Sequence, residues 1–187
     1  MTYEEMQKKY LSLIEEVNPD SEYLTDDPDL AAKQVEVTNQ VMFELARFKK
    51  IPKYVEIPVT KGQTVTFEDI GNECGYEVYQ IKMAGGVGHV SKADGTVLKF
   101  TEDGTAEIEV YVYPERITEK TKPKAYEFEL SPDVLEIMPY GIAADLLKSD
   151  ESANFGKVYA ARYNEMLQRL DPRYQVYGIS YEGGVFL

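Results

Sequence analysis

Apolar residues near the start of the chain recur every three or four positions, the spacing that places them on one face of a helix. The pattern predicts a first helix over residues 2–17, where Thr2 and Glu5 have the spacing of a capping box. It predicts a second helix over residues 28–50, with Asp27 as N-cap and a proline at the first helical position. The chain therefore begins with a pair of amphipathic helices.

From Lys53 the period of the apolar residues changes to two, which is the period of a half-buried strand. Six strands are predicted, over residues 54–60, 64–70, 76–83, 96–101, 105–113 and 125–130. Lys61-Gly62 predicts a turn, and Glu102-Asp103-Gly104 predicts a hairpin between the two strands that it joins. Apolar residues alternate with glutamates along several of these strands, which is typical of an antiparallel sheet with one face in water.

Helical spacing returns after Ser131, which is followed by a proline at the first helical position. Pro139 and Gly141 predict a break or kink, after which residues 142–148 continue as helix. A last helix is predicted over residues 153–170. One side of it is predicted to carry Phe155, Val158, Tyr159, Arg162, Tyr163, Met166, Leu167 and Leu170.

These elements predict an α+β fold: a four-helix bundle-like part, with two N-terminal and two C-terminal helices, and an inserted antiparallel β domain. The predicted helical domain comprises residues 1–52 and 131–172. The β domain comprises residues 53–130, and residues 173–187 form a C-terminal docking arm.

Composition narrows the classes of function. The 187 residues include 20 Lys and Arg against 33 Asp and Glu, a net charge of −13, which is the opposite of a surface that grips phosphate backbones. A single cysteine, Cys74, excludes an internal disulfide framework and multi-cysteine zinc sites, and a single histidine, His89, excludes motifs that need two histidines. No apolar run approaches the roughly 20 residues of a membrane helix. We expect no cofactor, no metal and no membrane partner.

Three possible catalytic features are better explained by ordinary structure. Gly85-Gly86-Val87-Gly88 lies between predicted strands and lacks the Lys-Ser/Thr of a phosphate-binding loop. His89 belongs to no readable nucleophile motif, and Cys74 has no basic neighbour that would lower its pKa. A loop, an exposed histidine and an unreactive thiol are the expected outcomes.

The acidic residues that could suggest a calcium site or carboxylate catalysis are also better explained by ordinary structure. Asp94 and Asp103 each precede a glycine, as turn residues do, and neither lies in the ligand series of a calcium-binding loop. Two glutamate pairs have period-two spacing: Glu107 with Glu109, and Glu127 with Glu129. Such pairs are typical of the solvent face of a strand, where like charges favour solubility. We therefore expect no enzymatic activity.

Three other features point to binding. The chain has 15 tyrosines and no tryptophan, and tyrosine is enriched at protein interfaces. Residues 173–187 follow a predicted helix stop and are rich in apolar and aromatic side chains, so they form either a docking segment or a last strand. The acidity is mostly a solvated surface, but it would also suit the wall of a channel along which DNA slides without sticking.

The C-terminal helices carry a family resemblance. Residues 137–151 read IMPYGIAADLLKSDE, and residues 159–167 read YAARYNEML. A proline with small residues, an acidic break, and then Tyr-x-x-x-Tyr with a closing leucine resemble the C-terminal half of tailed-bacteriophage head–tail adaptor (connector) proteins. At the level of architecture the resemblance extends to the whole chain, because that family also has an N-terminal helix pair and a β-rich insertion.

The resemblance implies a structural protein of the virion neck, assembled in the host cytoplasm, with no catalytic residues. Such adaptors form a homo-oligomeric ring, commonly a dodecamer, that docks below the portal protein, extends the DNA channel and carries the tail or nozzle proteins. DNA passes through without specific binding. The implied portal-docking residues are Tyr174, Tyr177, Ile179, Tyr181, Val185, Phe186 and Leu187. Cations expected to neutralise acidic neighbours across subunit contacts are Arg47, Lys49, Lys50, Arg162 and Arg169.

Other classes stay open on sequence grounds. A carbohydrate- or ligand-binding β module of a phage tail or baseplate would use tyrosines on strands to stack on sugars. A small hydrolase would need a carboxylate pair with a raised pKa in a cleft, which the sequence does not show. An acidic mimic of nucleic acid would need carboxylates at phosphate-like spacing on one continuous face.

Overall fold

The structure is a computed structural model that describes residues 1–66, 68–70, 75–83, 90–93, 97–148 and 153–170. The helices and strands in these ranges are α1 (Tyr3–Leu13), α2 (Pro28–Phe48), β1 (Ile51–Val59), β2 (Thr64–Thr66), β3 (Gly75–Met83), β4 (Val90–Ala93), β5 (Val97–Phe100), β6 (Gly104–Val112), α3 (Pro132–Leu146) and α4 (Ala153–Leu170). Helices stand at both ends of this order and all paired strands are antiparallel, so the predicted α+β class is confirmed.

The chain divides into two compact units. The helical unit comprises Met1–Lys49 with Arg116–Leu187, and the β unit comprises Lys50–Glu115. Residues 116–130, which the sequence analysis assigned to the β domain, therefore belong to the helical unit.

The starts of the first two helices follow the local sequence signals. The Glu5 backbone N–H donates to Thr2 Oγ1 at 3.2 Å, and the Thr2 backbone N–H donates to Glu5 Oε2 at 2.9 Å, which confirms the capping box. Asp27 Oδ1 accepts from the backbone N–H groups of Asp29 and Leu30 at 2.8 and 3.2 Å. Both caps satisfy backbone donors that the first turn of a helix leaves without partners.

α3 is the central helix of the helical unit, and the predicted break at Pro139 and Gly141 is wrong. The helix runs through both residues, and most of its side chains are buried. Burial on several sides outweighs the roughly 3 kcal/mol cost of an internal proline. Gly141 is required for space, since a Cβ there would lie 2.8 Å from a ring carbon of Tyr163 on α4 and 3.0 Å from Val41 on α2.

Residues 116–130 contain turns at 119–120 and 123–125 and form no strand, so the strand predicted over 125–130 is wrong. Asn39 on α2 holds the segment at Ile117: its Oδ1 accepts from the Ile117 N–H at 2.9 Å, and its Nδ2 donates to the Ile117 carbonyl at 2.8 Å. Further along, an isolated bridge joins Thr2 to Glu127, where the Tyr3 N–H donates to the Tyr126 carbonyl at 3.0 Å and the Phe128 N–H donates to the Met1 carbonyl at 3.1 Å. The segment alternates in burial because it packs on helices, not because it pairs in a sheet.

The described residues of the β unit form two three-stranded antiparallel sheets, in the orders β1-β6-β3 and β2-β5-β4. Ile108 on β6 lies opposite both Val55 on β1 and Ile81 on β3, which places these apolar side chains on one face. The buried side chains of this unit form one cluster: Val59, Val65, Ile70, Met83, Leu98, Phe100, Ala106, Ile108, Val110 and Val112.

The hairpin predicted at Glu102-Asp103-Gly104 is wrong, because β5 and β6 belong to different sheets. Phe100 turns toward the preceding loop instead: its carbonyl accepts from the Gly62 N–H at 2.7 Å, and its N–H donates to the Gln63 carbonyl at 2.9 Å. Asp103 Oδ1 accepts from the Lys61 N–H at 2.6 Å. Asp103 therefore holds the Lys61-Gly62 turn and does not close a hairpin. Gly62 has φ +84°, as the predicted turn requires.

β2 ends at Thr66, earlier than the predicted limit of residue 70. Asp69 Oδ2 accepts from the Thr66 N–H at 2.7 Å and from its hydroxyl at 2.8 Å. This local side-chain bonding competes with strand pairing and turns the chain away. β4 (Val90–Ala93) pairs with β5 and was not predicted at all.

Candidate functional site

Three predicted inter-subunit cations lie where α2 ends and β1 begins. Lys49 forms an ion pair with Asp133 at the start of α3. Lys50 Nζ donates to Glu77 Oε2 at 2.6 Å and lies 4.5 Å from the ring centroid of Tyr111. Arg47 lines a groove on α2 that is described below. Both lysines already neutralise carboxylates of their own chain, and their role between subunits stays a prediction.

The other two predicted cations lie on α4 and share one carboxylate. Arg162 Nη1 lies 2.8 Å from Glu165 Oε2, and Arg169 Nη2 donates to Glu165 Oε1. The hydrogen bond from Arg162 and the charges of both arginines hold the pKa of Glu165 below its ordinary value. The three side chains form an exposed ladder, called here the α4 ion ladder.

The α4 ion ladder continues toward the start of the helix as an apolar surface. Phe155 is 67% exposed and Val158 is 64% exposed. Together with the ladder they occupy positions 155, 158, 162, 165 and 169, whose alternating spacings of three and four residues align them on one side of a helix. This surface, called here the α4 stripe, is half apolar and half charged.

Phe155 and Val158 were predicted to lie on the same side of α4 as Tyr163 and Leu167, and that prediction is wrong. Tyr163 and Leu167 are buried, whereas Phe155 and Val158 are exposed. A sequence signal was available in Gly156, which is buried against the Ala144 carbonyl and Leu147 at the end of α3. A small residue at helical spacing from Tyr163 marks the side that packs closely.

A groove of about 640 Å³ runs along the exposed side of α2. Its lining residues are Glu36, Asn39, Gln40, Phe43, Glu44, Arg47, Phe48 and Arg116. Arg116 Nη2 donates to Glu36 Oε2 at 2.8 Å at one end, and Phe48 is 44% exposed at the other. This surface, called here the α2 groove, carries charged side chains along its length, with Glu44 and Arg47 beside Phe48 at the second end.

The solvent face of the β1-β6-β3 sheet carries a second groove of about 320 Å³. Tyr54 is 72% exposed there, and its hydroxyl donates to Glu109 Oε1 at 3.1 Å. Glu56 lies opposite Glu107, and Lys82 lies opposite Glu107 on the other side. The predicted acidic solvent face of β6 is present, and an aromatic ring stands on it.

Three buried side chains of the helical unit, those of Gln7, Tyr10 and Gln34, form a hydrogen-bonded network. Gln34 Oε1 accepts from Gln7 Nε2 at 2.9 Å and from the Tyr10 hydroxyl at 2.7 Å, and Gln34 Nε2 donates to the Tyr23 carbonyl at 3.1 Å. Burial raises the pKa of Tyr10 well above its ordinary value, so its hydroxyl keeps its proton and acts as a donor. The network joins α1 to α2 and presents no group for acid–base chemistry.

Several predicted positions lie outside the described residues. These are the proposed docking residues Tyr174, Tyr177, Ile179, Tyr181, Val185, Phe186 and Leu187, together with Cys74, Asp94 and His89. In the part of the chain that the structure describes, no group of three or more His, Cys, Asp or Glu side chains is arranged to hold a metal ion. None of the described helices has the length and apolarity to cross a membrane.

Comparison with known proteins gives no assignment: no protein-family model matches the chain, and no curated protein matches it significantly.

Proposed function

We propose that this protein is a head–tail adaptor of a tailed bacteriophage. In this role copies of the chain form a ring below the portal protein, extend the DNA channel and provide the platform for tail attachment. The observation that carries the proposal is the α4 stripe, because Phe155 and Val158 are large apolar side chains held on the outside of a well-formed helix. Such side chains are typical of a surface that another protein covers.

The course of the chain supports the same role. Two helices precede Lys50–Glu115 and two follow it, so the helical unit is built from both ends of the chain around an inserted β unit. This is the arrangement of the adaptor family that residues 137–167 resemble. Because one fold can serve many functions, the exposed stripe and the sequence resemblance are needed beside it.

The charge also fits a passage for DNA. A chain with a net charge of −13 repels phosphate groups, and a ring would multiply that charge. An acidic wall lets DNA move without binding it, which is the mechanical requirement of a channel. The proposal includes no catalytic step.

The test uses the portal protein encoded beside this chain in the same phage genome. The two purified proteins are mixed and examined by negative-stain microscopy and native mass spectrometry. We expect a ring of this protein on the narrow end of the portal and a complex with several adaptor copies per portal. Monomer alone and monomer with portal, over a full concentration series, would falsify the proposal.

A variant that lacks residues 173–187 tests the docking arm separately. We expect it to lose attachment to the portal while the helical unit keeps its thermal stability. A point variant sharpens this: replacing Tyr181 and Phe186 by serine should weaken attachment, whereas the control Tyr23→Ser, which changes a tyrosine that is 52% exposed elsewhere, should not. Equal attachment to the portal by all three variants would show that the arm does not contribute to the portal contact.

A second candidate, a carbohydrate-binding module, is favoured by one observation, the groove beside Tyr54. An exposed aromatic ring surrounded by Glu56, Gln80 and Glu109 offers a stacking surface with hydrogen-bonding groups around it. A glycan array tests it. Binding that disappears in Tyr54→Ala but persists in Tyr23→Ala would support this function, and no bound glycan at all would reject it.

A further inference from the structure

We propose that neighbouring subunits join through two different surfaces, with the α4 stripe of one copy lying antiparallel along the α2 groove of the next. The inference rests on the proposed function, since it names the contact that would close the ring. Both surfaces belong to the helical unit, both are open along a helix, and each carries an exposed large apolar side chain at one end with charged side chains further along.

The order and spacing of the side chains match in one direction. On α4, Val158, Arg162 and Arg169 are separated by four and seven residues, or about 6 and 10 Å along the axis. On α2, reading backwards, Phe48, Glu44 and Glu36 are separated by four and eight residues, or about 6 and 12 Å. In an antiparallel contact Val158 therefore faces Phe48, which forms an apolar pair. Arg162 then faces Glu44, and Arg169 faces Glu36, which forms two ion pairs.

The opposite direction does not match. A parallel contact would put Val158 beside Glu36 and Arg169 beside Phe48, which buries a charge against an apolar side chain. Charge complementarity thus selects one orientation of the two helices. The seven-residue repeat of the α4 stripe also suits the packing of one helix along another at a small angle.

The charged groups are available for this exchange. The side chains of Arg169 and Glu36 are 68% and 71% exposed, and their present partners, Glu165 and Arg116, are exposed too. Ion pairs at such a surface contribute little to stability, so replacing them costs little. On association Glu165 and Arg116 become a further pair of opposite sign, and the remaining cation of the groove, Arg47, lies three residues from Glu44 on the same helix.

The geometry has a consequence for assembly. Because the two surfaces are different, every copy that uses its α4 stripe still offers its α2 groove. Contacts of this type continue from copy to copy and close into a ring when the rotation between copies allows it. A contact between two α4 stripes would instead stop at a dimer.

Disulfide trapping tests the contact without the portal. In a Cys74→Ser background, Val158→Cys combined with Phe48→Cys is oxidised at increasing protein concentration and separated on a denaturing gel. We expect a ladder of gel bands that correspond to disulfide-linked dimer, trimer and larger species. The control, Val158→Cys with Lys120→Cys, and each single-cysteine variant should give no ladder. Dimers from Val158→Cys alone would show an α4–α4 contact and overturn the inference, and so would the absence of a ladder in the Val158/Phe48 variant.

Charge reversal gives an independent reading. In the Val158→Cys/Phe48→Cys background, Arg169→Glu and Glu36→Arg should each raise the protein concentration needed for disulfide-linked oligomers by about tenfold. The two substitutions together in one chain should return that concentration to its original value. Failure of the double variant to recover would overturn the inference.

The portal experiment separates this inference from the proposed function. A ring on the portal without a Val158–Phe48 ladder would keep the adaptor function and reject this contact. A ladder without any portal complex would keep the contact and reject the adaptor function.

Discussion

In the helical unit, polar side chains are buried among apolar ones and several of them hold hydrogen bonds, whereas the β unit buries apolar side chains alone in the regions that the structure describes. The buried polar residues are Gln7, Thr25, Gln34, Thr38 and Asn39, and all five lie in the helical unit. Hydrogen bonds are directional, so they fix how helices are placed, while apolar burial in a sheet depends on register. The comparison predicts different responses to the same kind of substitution.

The largest expected effect comes from shortening one fully buried isoleucine in each unit. Ile142→Ala on α3 should cost about 4 kcal/mol and Ile108→Ala on β6 about 2–3 kcal/mol. Ile142 lies in a helix buried on most sides, so its cavity cannot collapse, whereas Ile108 lies between half-buried Val55 and Ile81, which can move. Native-state hydrogen exchange of α3 and β6 amides measures each loss.

The neighbouring variant Glu107→Ala serves as the control for Ile108→Ala, because Glu107 lies on the exposed face of the same strand. It should change stability by no more than about 0.5 kcal/mol. A larger loss in β6 than in α3 would contradict the comparison.

The next effect comes from Asn39→Ala. It leaves the buried N–H and carbonyl of Ile117 without partners, so the free energy of unfolding of the helical unit should fall by about 2–4 kcal/mol. Asn39→Asp keeps the acceptor for the N–H but buries a carboxylate whose second oxygen faces the Ile117 carbonyl, and should cost at least as much as Asn39→Ala. Gln40→Ala, at the exposed adjacent position, is the control. Chemical denaturation measures all three, and an unchanged Asn39→Ala would show that the two bonds contribute nothing net.

A glycine in each unit gives a smaller and more diagnostic comparison. Gly141→Ala should cost about 1–3 kcal/mol by crowding Tyr163, and Tyr163→Leu should recover part of that loss. Gly62→Ala should cost about 1–2 kcal/mol because φ is +84°, although nothing lies within 4 Å of the added methyl. Gly62→Asn should cost less than Gly62→Ala, since asparagine tolerates that conformation. Thermal unfolding distinguishes crowding, which a second substitution relieves, from backbone strain, which it does not.

The smallest effect concerns two carboxylates whose pKa values are lowered for different reasons. Arg162 and Arg169 lower the pKa of Glu165 on α4, and hydrogen bonds from the Thr66 backbone and hydroxyl lower the pKa of Asp69 in the β unit. Because the folded pKa is lowered, each group stabilises the fold above its unfolded pKa and loses that contribution as the pH falls through the folded pKa.

Salt separates the two causes. Raising the ionic strength should move the pKa of Glu165 back toward its ordinary value and leave that of Asp69 almost unchanged. Carboxyl ¹³C shifts followed against pH measure both. Equal movement of the two values would show that Asp69 also responds to distant charge.

Local signals in the sequence predicted the fold class and the helix starts, since Thr2, Asp27 and their partners lie within three residues of one another. Period-two alternation predicted β6 for the same reason. It failed for residues 125–130, because an extended segment that packs on helices shows the same alternation of burial as a paired strand. Which partner a segment meets depends on contacts such as Asn39 with Ile117, 78 residues apart, which no local pattern contains.

The surfaces were harder to predict than the elements. The apolar residues of α4 were identified, but which of them are buried was not predicted. Phe155 and Val158 are exposed and Tyr163 and Leu167 are buried only because α3 covers one side of the helix and not the other. The predicted hairpin at Asp103 failed in a similar way: the turn residues were identified correctly as turn formers, but their bond to Lys61 is a tertiary contact.

The bond between Asn39 and Ile117 has a consequence for how such a chain can evolve. It secures the polypeptide on both sides of the excursion with two hydrogen bonds that involve no residue of the excursion itself. Everything between Lys49 and Arg116 can lengthen, shorten or be exchanged for another module while the points of departure and return remain anchored in the helices. A lineage that keeps one asparagine on α2 can therefore redesign its insert without disturbing the helices.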